Sequence, residues 1–283
     1  MDKITVQGDK DEYSSVFDTS TTLAYCPFPP VMKVYYQWNL AGLNTFHVCG
    51  ENQQDRLFAV RVHTGYSMSE PLGERQGLYL YDGPTTKDPL LAAVGDDSVL
   101  FRSLPVNNNS CIYLPARKTR GLTEEMMRAY ITTDKHAAFR FSVEVGSGLK
   151  MHRQAFEWRN ITKSEVDDSA EHGGFKLFFS SENPEQNVPN GESSRQGAHT
   201  SSAAASDDEV LAILEWRRFL TSPKHPFDLK LAGSGLSGKL SERWTLMVLV
   251  TALRLWELHA RGKSQKGSVA IAEKLGPKEK LVH

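Results

Sequence analysis

Apolar positions along the chain fall into two regimes: short runs separated by polar turns up to Leu231, then one dense stretch from Trp244 to Leu258. Short runs rich in β-branched and aromatic residues, bounded by Gly, Pro, Asn or Asp, read as strands. On that basis strands are predicted at 31–38, 45–49, 57–63, 77–81, 90–94, 99–104, 111–114, 139–145, 154–159, 174–179, 209–216 and 227–231, about twelve in all. In Tyr81-Asp-Gly-Pro84 and Val94-Gly-Asp-Asp97 the turn chemistry is explicit, since glycine tolerates positive φ, proline presets φ and aspartate bonds its own backbone. Residues 119–131 are ambiguous, because Thr123-Glu-Glu could open a helix, and are read as a short helix or loop.

The stretch 243–261 behaves differently. On a helical wheel Arg243, Arg254, Glu257 and Arg261 share one narrow stripe with Met247 and Val250. Nearly all the remaining circumference is apolar, including Trp244, Leu249, Leu253 and Trp256. A helix apolar nearly all round must be enclosed. A membrane span needs about 20 predominantly apolar residues, whereas the uncharged run from Trp244 stops at Leu253, so no transmembrane segment is expected. The prediction from pattern is a mainly β protein, a sandwich or a barrel of about twelve short strands that must enclose the C-terminal helix. Six residues mark that core helix: Trp244, Met247, Leu249, Leu253, Arg254 and Trp256.

Local signals bracket the helix. Ser241 and Glu242 suit the N-cap and first turn, and His259, Arg261 and Gly262 suit the C-terminus. Gly233-Ser-Gly-Leu-Ser-Gly238 reads as a bend into the helix; a phosphate cradle is conceivable there, but no P-loop lysine and serine follow in register. One more short strand is predicted at 268–272. Arg254 interrupts the enclosed surface and leaves two readings open. Either Glu257 and Arg261 continue its stripe, giving i,i+3 and i,i+4 ion pairs near an open barrel end, or a strand carboxylate meets it and fixes the rotation of the helix.

Composition sets the boundaries. Residues 1–24 are polar and acid-rich and read as a flexible arm, 25–275 as a single barrel domain, and 276–283 as a basic tail. Residues 181–206 hold one branched aliphatic residue and no aromatic, and read as a disordered insertion within that domain. The net charge of −1 gives no global attraction to nucleic acid. The charged N-terminus lacks the apolar core of a secretory signal, so an intracellular protein is expected, cytoplasmic, with a peripheral membrane or nuclear placement also open. Cys26, Cys49 and Cys111 have no metal-ligand spacing and read as small core residues. Asn108-Asn-Ser110 and Asn160-Ile-Thr162 match the glycosylation pattern and read as loops.

About twelve strands followed by a nearly all-apolar C-terminal helix resembles the tubby C-terminal-like superfamily, which includes tubby proteins, phospholipid scramblases and plant LURP-one-related proteins. The wording of Gly77-Leu-Tyr-Leu-Tyr-Asp-Gly-Pro-Thr-Thr-Lys-Asp-Pro-Leu-Leu-Ala-Ala-Val-Gly95, of Phe156-Glu-Trp-Arg159 and of Gly238 through Trp256 looks like a fungal, uncharacterised branch. The resemblance covers about residues 25–275 apart from the insertion. It implies a mainly β fold, a closed antiparallel β-barrel of about twelve strands around a central hydrophobic C-terminal α-helix, and, in the tubby branch, recognition of phosphoinositide head groups through a Lys-x-Arg pair. No Lys-x-Arg triplet occurs here, and the cysteine-rich run and calcium-binding stretch of scramblases are missing.

A barrel filled by a helix has no central cavity for substrate, and the chain carries no Walker A, His-Glu-x-x-His or Gly-x-Ser-x-Gly motif. His47 and His63 read as hydrogen-bonded barrel residues, and Asp96-Asp97 and Asp167-Asp168 as solvated turn aspartates rather than calcium ligands. No metal and no cofactor is expected. The reading is a non-enzymatic binding or adaptor protein that contacts phosphoinositide or anionic lipid through Arg217, Arg218, Lys224 and Lys230, which cluster around two late strands. The alternative is a protein-interaction module without lipid contact, binding an unidentified protein partner through the acidic arm and the 181–206 loop.

Overall fold

The computed structural model describes residues 28–37, 45–97, 108–117, 121–146, 150–161, 173–180, 209–217, 222 and 224–275. The predicted strand at 99–104, Trp38, Cys26, Asp167-Asp168, Arg218, the N-terminal arm, the 181–206 insertion and the 276–283 tail lie outside the described residues.

Twelve strands run in chain order: β1 (Val31–Tyr36), β2 (Thr45–Cys49), β3 (Arg56–His63), β4 (Gly77–Tyr81), β5 (Leu90–Asp96), β6 (Ser110–Pro115), β7 (Leu122–Ile131), β8 (Ala137–Val145), β9 (His152–Asn160), β10 (Gly174–Phe179), β11 (Val210–Trp216) and β12 (Phe227–Leu231). Each pairs antiparallel with its sequence neighbours, and β1 pairs with β12 through Val31↔Lys230 to Val34↔Phe227, so the sheet closes into an up-and-down barrel with no free edge. The chain then turns through one 3-10 turn (Gly233–Leu236) into α1 (Glu242–Ala260) and ends in α2 (Lys266–Leu275).

Alternation drives the closure. In β8 Phe139, Phe141, Val143 and Val145 are buried while Arg140, Ser142 and Glu144 between them are half-exposed. The inward residues of all strands meet α1, whose Trp244, Met247, Leu249 and Leu253 are buried in one core with Phe46, Phe141, Phe156 and Leu229. Met247 and Val250, on the predicted polar stripe, are buried too, so α1 is enclosed on every side. Trp256 sits half-buried among Tyr36, Phe46 and Phe227 at the C-terminal end. Among the described residues no helix is long and apolar enough to cross a membrane.

Polar contacts fix how α1 sits. Trp158 Nε1 donates to Thr251 Oγ1 at 2.9 Å, and Thr251 Oγ1 in turn donates to the Met247 carbonyl at 2.8 Å. At the start of α1, Arg243 Nη1 donates to the Pro115 carbonyl at 2.5 Å. Arg254 pairs both along its own stripe, with Glu257, and with a strand carboxylate, Asp96, at a fully buried position. Its guanidinium, 0% exposed, reaches Asp96 Oδ1 at 2.5 Å, Glu257 Oε2 at 2.6 Å and Ser110 Oγ at 2.8 Å. Glu257 also meets Arg261 at 2.5 Å.

Several expectations are corrected. Residues 122–131 form a strand, not a short helix or loop: the Thr123-Glu-Glu signal is local, whereas pairing with β6 and β8 on both sides places Met127 in the core and leaves Glu124 and Arg128 outside. Residues 268–272 lie in α2, not a strand, with Val269 in the core and Ile271 facing solvent. Asp96 is not a solvated turn residue; β5 extends through it and only 4% of it is exposed, because it is the counter-ion of Arg254. Asn108 is buried in the irregular segment just before β6, Asn160 is the exposed last residue of β9, and Thr162 lies outside the described residues.

The caps are half as predicted. The C-terminal signal of α1 is a Schellman motif, with Gly262 at φ +69°, Gly262 N–H bonded to the His259 carbonyl at 2.9 Å and Lys263 N–H to the Leu258 carbonyl at 2.8 Å. Ser241 precedes the helix as expected, but its hydroxyl makes no capping bond and its φ is +81°. The glycine-rich bend has its own anion: Glu209 accepts from Ser234 N–H at 2.7 Å and from Ser234 Oγ at 2.7 Å, which occupies the conceivable phosphate cradle.

Candidate functional site

With α1 packed inside the barrel, chemistry available to a partner lies on the outer face and the ends. His47 and His63 are taken up internally: His47 Nε2 bonds the Pro84 carbonyl at 3.0 Å, and His63 Nε2 bonds the Gly73 carbonyl at 2.7 Å. Cys49 and Cys111 are buried free thiols. Burial pushes the Cys49 thiol up to about 11, which leaves it unreactive near neutral pH. Among the described residues no group of three or more His, Cys, Asp or Glu is placed to hold a metal ion.

The sequence-predicted lipid residues are brought near one another on β11, β12 and the turn between them, but two carry counter-ions. Arg217 Nε donates to Asp228 Oδ2 at 2.9 Å, and His225 Nε2 meets Asp228 Oδ1 at 2.5 Å while stacking on Tyr35 with ring centroids 4.5 Å apart. Burial raises the Asp228 carboxyl, but the bonds from His225 and Arg217 outweigh it and hold it below the ordinary carboxylate value. Lys230 Nζ meets Glu215 Oε2 at 2.8 Å. Lys224 is exposed, with its carbonyl accepting from Tyr36 N–H at 2.8 Å. Arg218 lies outside the described residues.

The barrel register assembles a wider basic surface that includes Lys230. Outward positions pair laterally as Arg128↔Arg140, Arg140↔Glu157, Arg159↔Lys176, Lys176↔Ile213 and Ile213↔Lys230, crossing from β7 to β12. Adjacent strands lie about 4.8 Å apart, so Arg128, Arg140, Arg159, Lys176 and Lys230 line one band with Glu157 and Glu215, while Glu124, Glu144, Arg153 and Asp228 take further outward positions of the same strands. Aromatic rings are interleaved: the Arg140 guanidinium lies 4.8 Å over Tyr130, and that of Arg159 lies 4.8 Å over Phe178. Glu157 is shared by Arg159 at 2.8 Å and Arg140 at 3.5 Å. Burial raises its carboxyl, but hydrogen bonds from Tyr130 and Arg159, together with the charge of Arg140, bring it below the ordinary value. Among the described residues Lys176 has no carboxylate partner, so the centre of the row carries unmatched positive charge.

Sequence reasoning missed Arg128, Arg140, Arg159 and Lys176 as a set. Arg128, Arg140 and Lys176 are each the single Lys or Arg of their strand and Arg159 shares β9 with Arg153, and successive members of the set lie 12 or more residues apart. The signal that could have found them is cationic outward positions on successive strands, which converge only once register is known. Compared with family models, curated proteins and solved structures, the chain matches none.

Proposed function

We propose that this protein is a non-enzymatic binding protein of tubby-like type that docks on an anionic lipid surface through the outer face of β7 to β12. The observation that carries the reading is the lateral row Arg128, Arg140, Arg159, Lys176 and Lys230, in which Lys176 has no carboxylate partner among the described residues. A membrane presenting phosphate head groups attracts each surface cation by about 1 kcal/mol, and Tyr130, Phe178 and Ile213 supply apolar contact between the charges. The twelve-strand barrel around α1 supports the reading by leaving ligand recognition to the outside.

Co-sedimentation with vesicles of neutral phosphatidylcholine, alone and with added phosphoinositide, tests this. Binding to the phosphoinositide vesicles that weakens as salt rises is expected; equal retention on both vesicle types at low salt contradicts it. A second reading, docking of a protein partner, draws on Tyr66 and Met68, which are 83% and 58% exposed. They stand on a loop pinned by Tyr79 Oη to the Ser69 carbonyl at 2.5 Å and by His63 to Gly73.

A further inference from the structure

At the N-terminal end of α1 the barrel mouth holds a pocket of about 460 Å³, within the range of small-molecule sites. Its walls are apolar, built from Phe28, Leu231, Leu236 and Leu240. Its floor is Trp244, which has two properties that packing alone does not account for. The residue is 0% exposed, yet among the described residues its indole Nε1–H has no hydrogen-bond partner, and the shielded hydroxyl of the N-cap residue Ser241, which also lines the pocket, has none either. A buried donor without an acceptor costs free energy, and here two such groups belong to residues that line the same pocket, the N-cap and the third residue of α1.

Three further observations bear on what would fill it. Ser241 is held at φ +81°, a conformation that favours glycine, at the one position where its hydroxyl forgoes the cap it would ordinarily make. Leu236, on the rim, is 55% exposed although it is a large apolar side chain. The first turn of a 19-residue helix points its positive end at the opening, which favours an anionic or oxygen-rich head over a cation. Glu242 at the rim is exposed, and solvent screens its charge.

We propose that this mouth is a binding site for a small amphipathic molecule with an oxygen-acceptor head and a linear apolar chain. The acceptor, a carboxylate or amide carbonyl, receives the Trp244 indole N–H and the Ser241 hydroxyl, and the chain lies along Phe28, Leu231, Leu236 and Leu240. Gly235 keeps the indole in place from above: a Cβ there would meet the Leu211 carbonyl at 2.3 Å and Trp244 Cη2 at 2.7 Å, so the turn lies directly on the ring. The site is separate from the basic outer face and does not depend on it.

Titration calorimetry on the full chain with decanoate, decanamide and decyltrimethylammonium, each below its micellar concentration, tests the proposal. Saturable one-to-one binding of decanoate and decanamide is expected, with decyltrimethylammonium, which lacks an acceptor, at least ten-fold weaker. Trp244→Phe removes the donor and keeps an aromatic ring, though a smaller one, and should weaken decanoate about ten-fold while the unliganded protein still melts cooperatively at a somewhat lower temperature. Ser241→Ala gives the same direction at the rim if Trp244→Phe does not fold. Absence of saturable binding, equal binding of decyltrimethylammonium, or wild-type affinity in both variants would overturn it.

Discussion

Arg254 on the central helix and Asp96 at the end of β5 are 158 residues apart in sequence and 2.5 Å apart in the fold. The pair is fully inside the protein, with Ser110 and Glu257 completing the guanidinium's partners. Its effect is to set the rotation of α1 within the barrel, because only one azimuth brings Arg254 to β5 and β6 together.

Removing one member of a buried pair strands the other in low dielectric, which costs about 3–5 kcal/mol. Arg254→Met should therefore lose about that much in urea unfolding, despite the similar volume of the side chain. Asp96→Asn combined with Arg254→Met should lose less than the two single losses added together, since the second change relieves the stranded charge. Wild-type stability in Arg254→Met would show that the pair does not hold the helix.

The Trp158–Thr251 bond offers a milder test of the same docking. Thr251→Val keeps the shape and leaves the buried Trp158 N–H without an acceptor. The expected loss is about 1–3 kcal/mol. Trp158→Phe in the Thr251→Val background should restore part of it, measured by the shift in urea midpoint at constant m-value.

Gly235→Ala should destabilise by about 1–3 kcal/mol through overpacking. Its backbone conformation is not the issue. The new methyl would fall 2.3 Å from the Leu211 carbonyl, which belongs to a barrel strand and cannot step aside. A thermal melt decides, and an unchanged midpoint would mean that the turn can lift off Trp244.

Acid sensitivity should come in two windows. Burial lowers His47 and His259 below the ordinary value of 6.5, so the unfolded chain takes up their protons at higher pH than the folded one. Their contribution is complete above about pH 6.5 and is lost as pH falls towards the folded values. Asp228 is likewise held below its ordinary 3.8: burial raises it, but the bonds from His225 and Arg217 prevail, so its contribution is lost only below that pH. Urea midpoints measured from pH 8 to pH 3 should fall in both windows, and His259→Gln should flatten the first.

Much of the barrel was legible because alternation and turn chemistry are written locally, and the enclosed helix because its apolar circumference admits no solvent face. Residues 122–131 were not, since a local helix-start signal competes with strand pairing that only β6 and β8 supply. Asp96 looked like a turn residue because nothing near it in sequence reveals Arg254. The basic face was invisible for the same reason: Lys176 and Arg159 become neighbours only through the β9 to β10 register. Of the residues picked from sequence, Lys230 lies in that row, Arg217 sits beside it bound to Asp228, and Lys224 stands exposed in the adjoining turn.

The central functional claim is that the outward row on β7 to β12 meets an anionic surface. Lys176→Gln with Lys230→Gln removes two of its cations at solvated positions, and Lys87→Gln serves as a control on the exposed β4 to β5 turn. At about 1 kcal/mol per cation, vesicle co-sedimentation with phosphoinositide at low salt should weaken roughly thirty-fold in the double variant and be unchanged in the control. Equal binding by wild type and the double variant, with both still folded, would contradict the account.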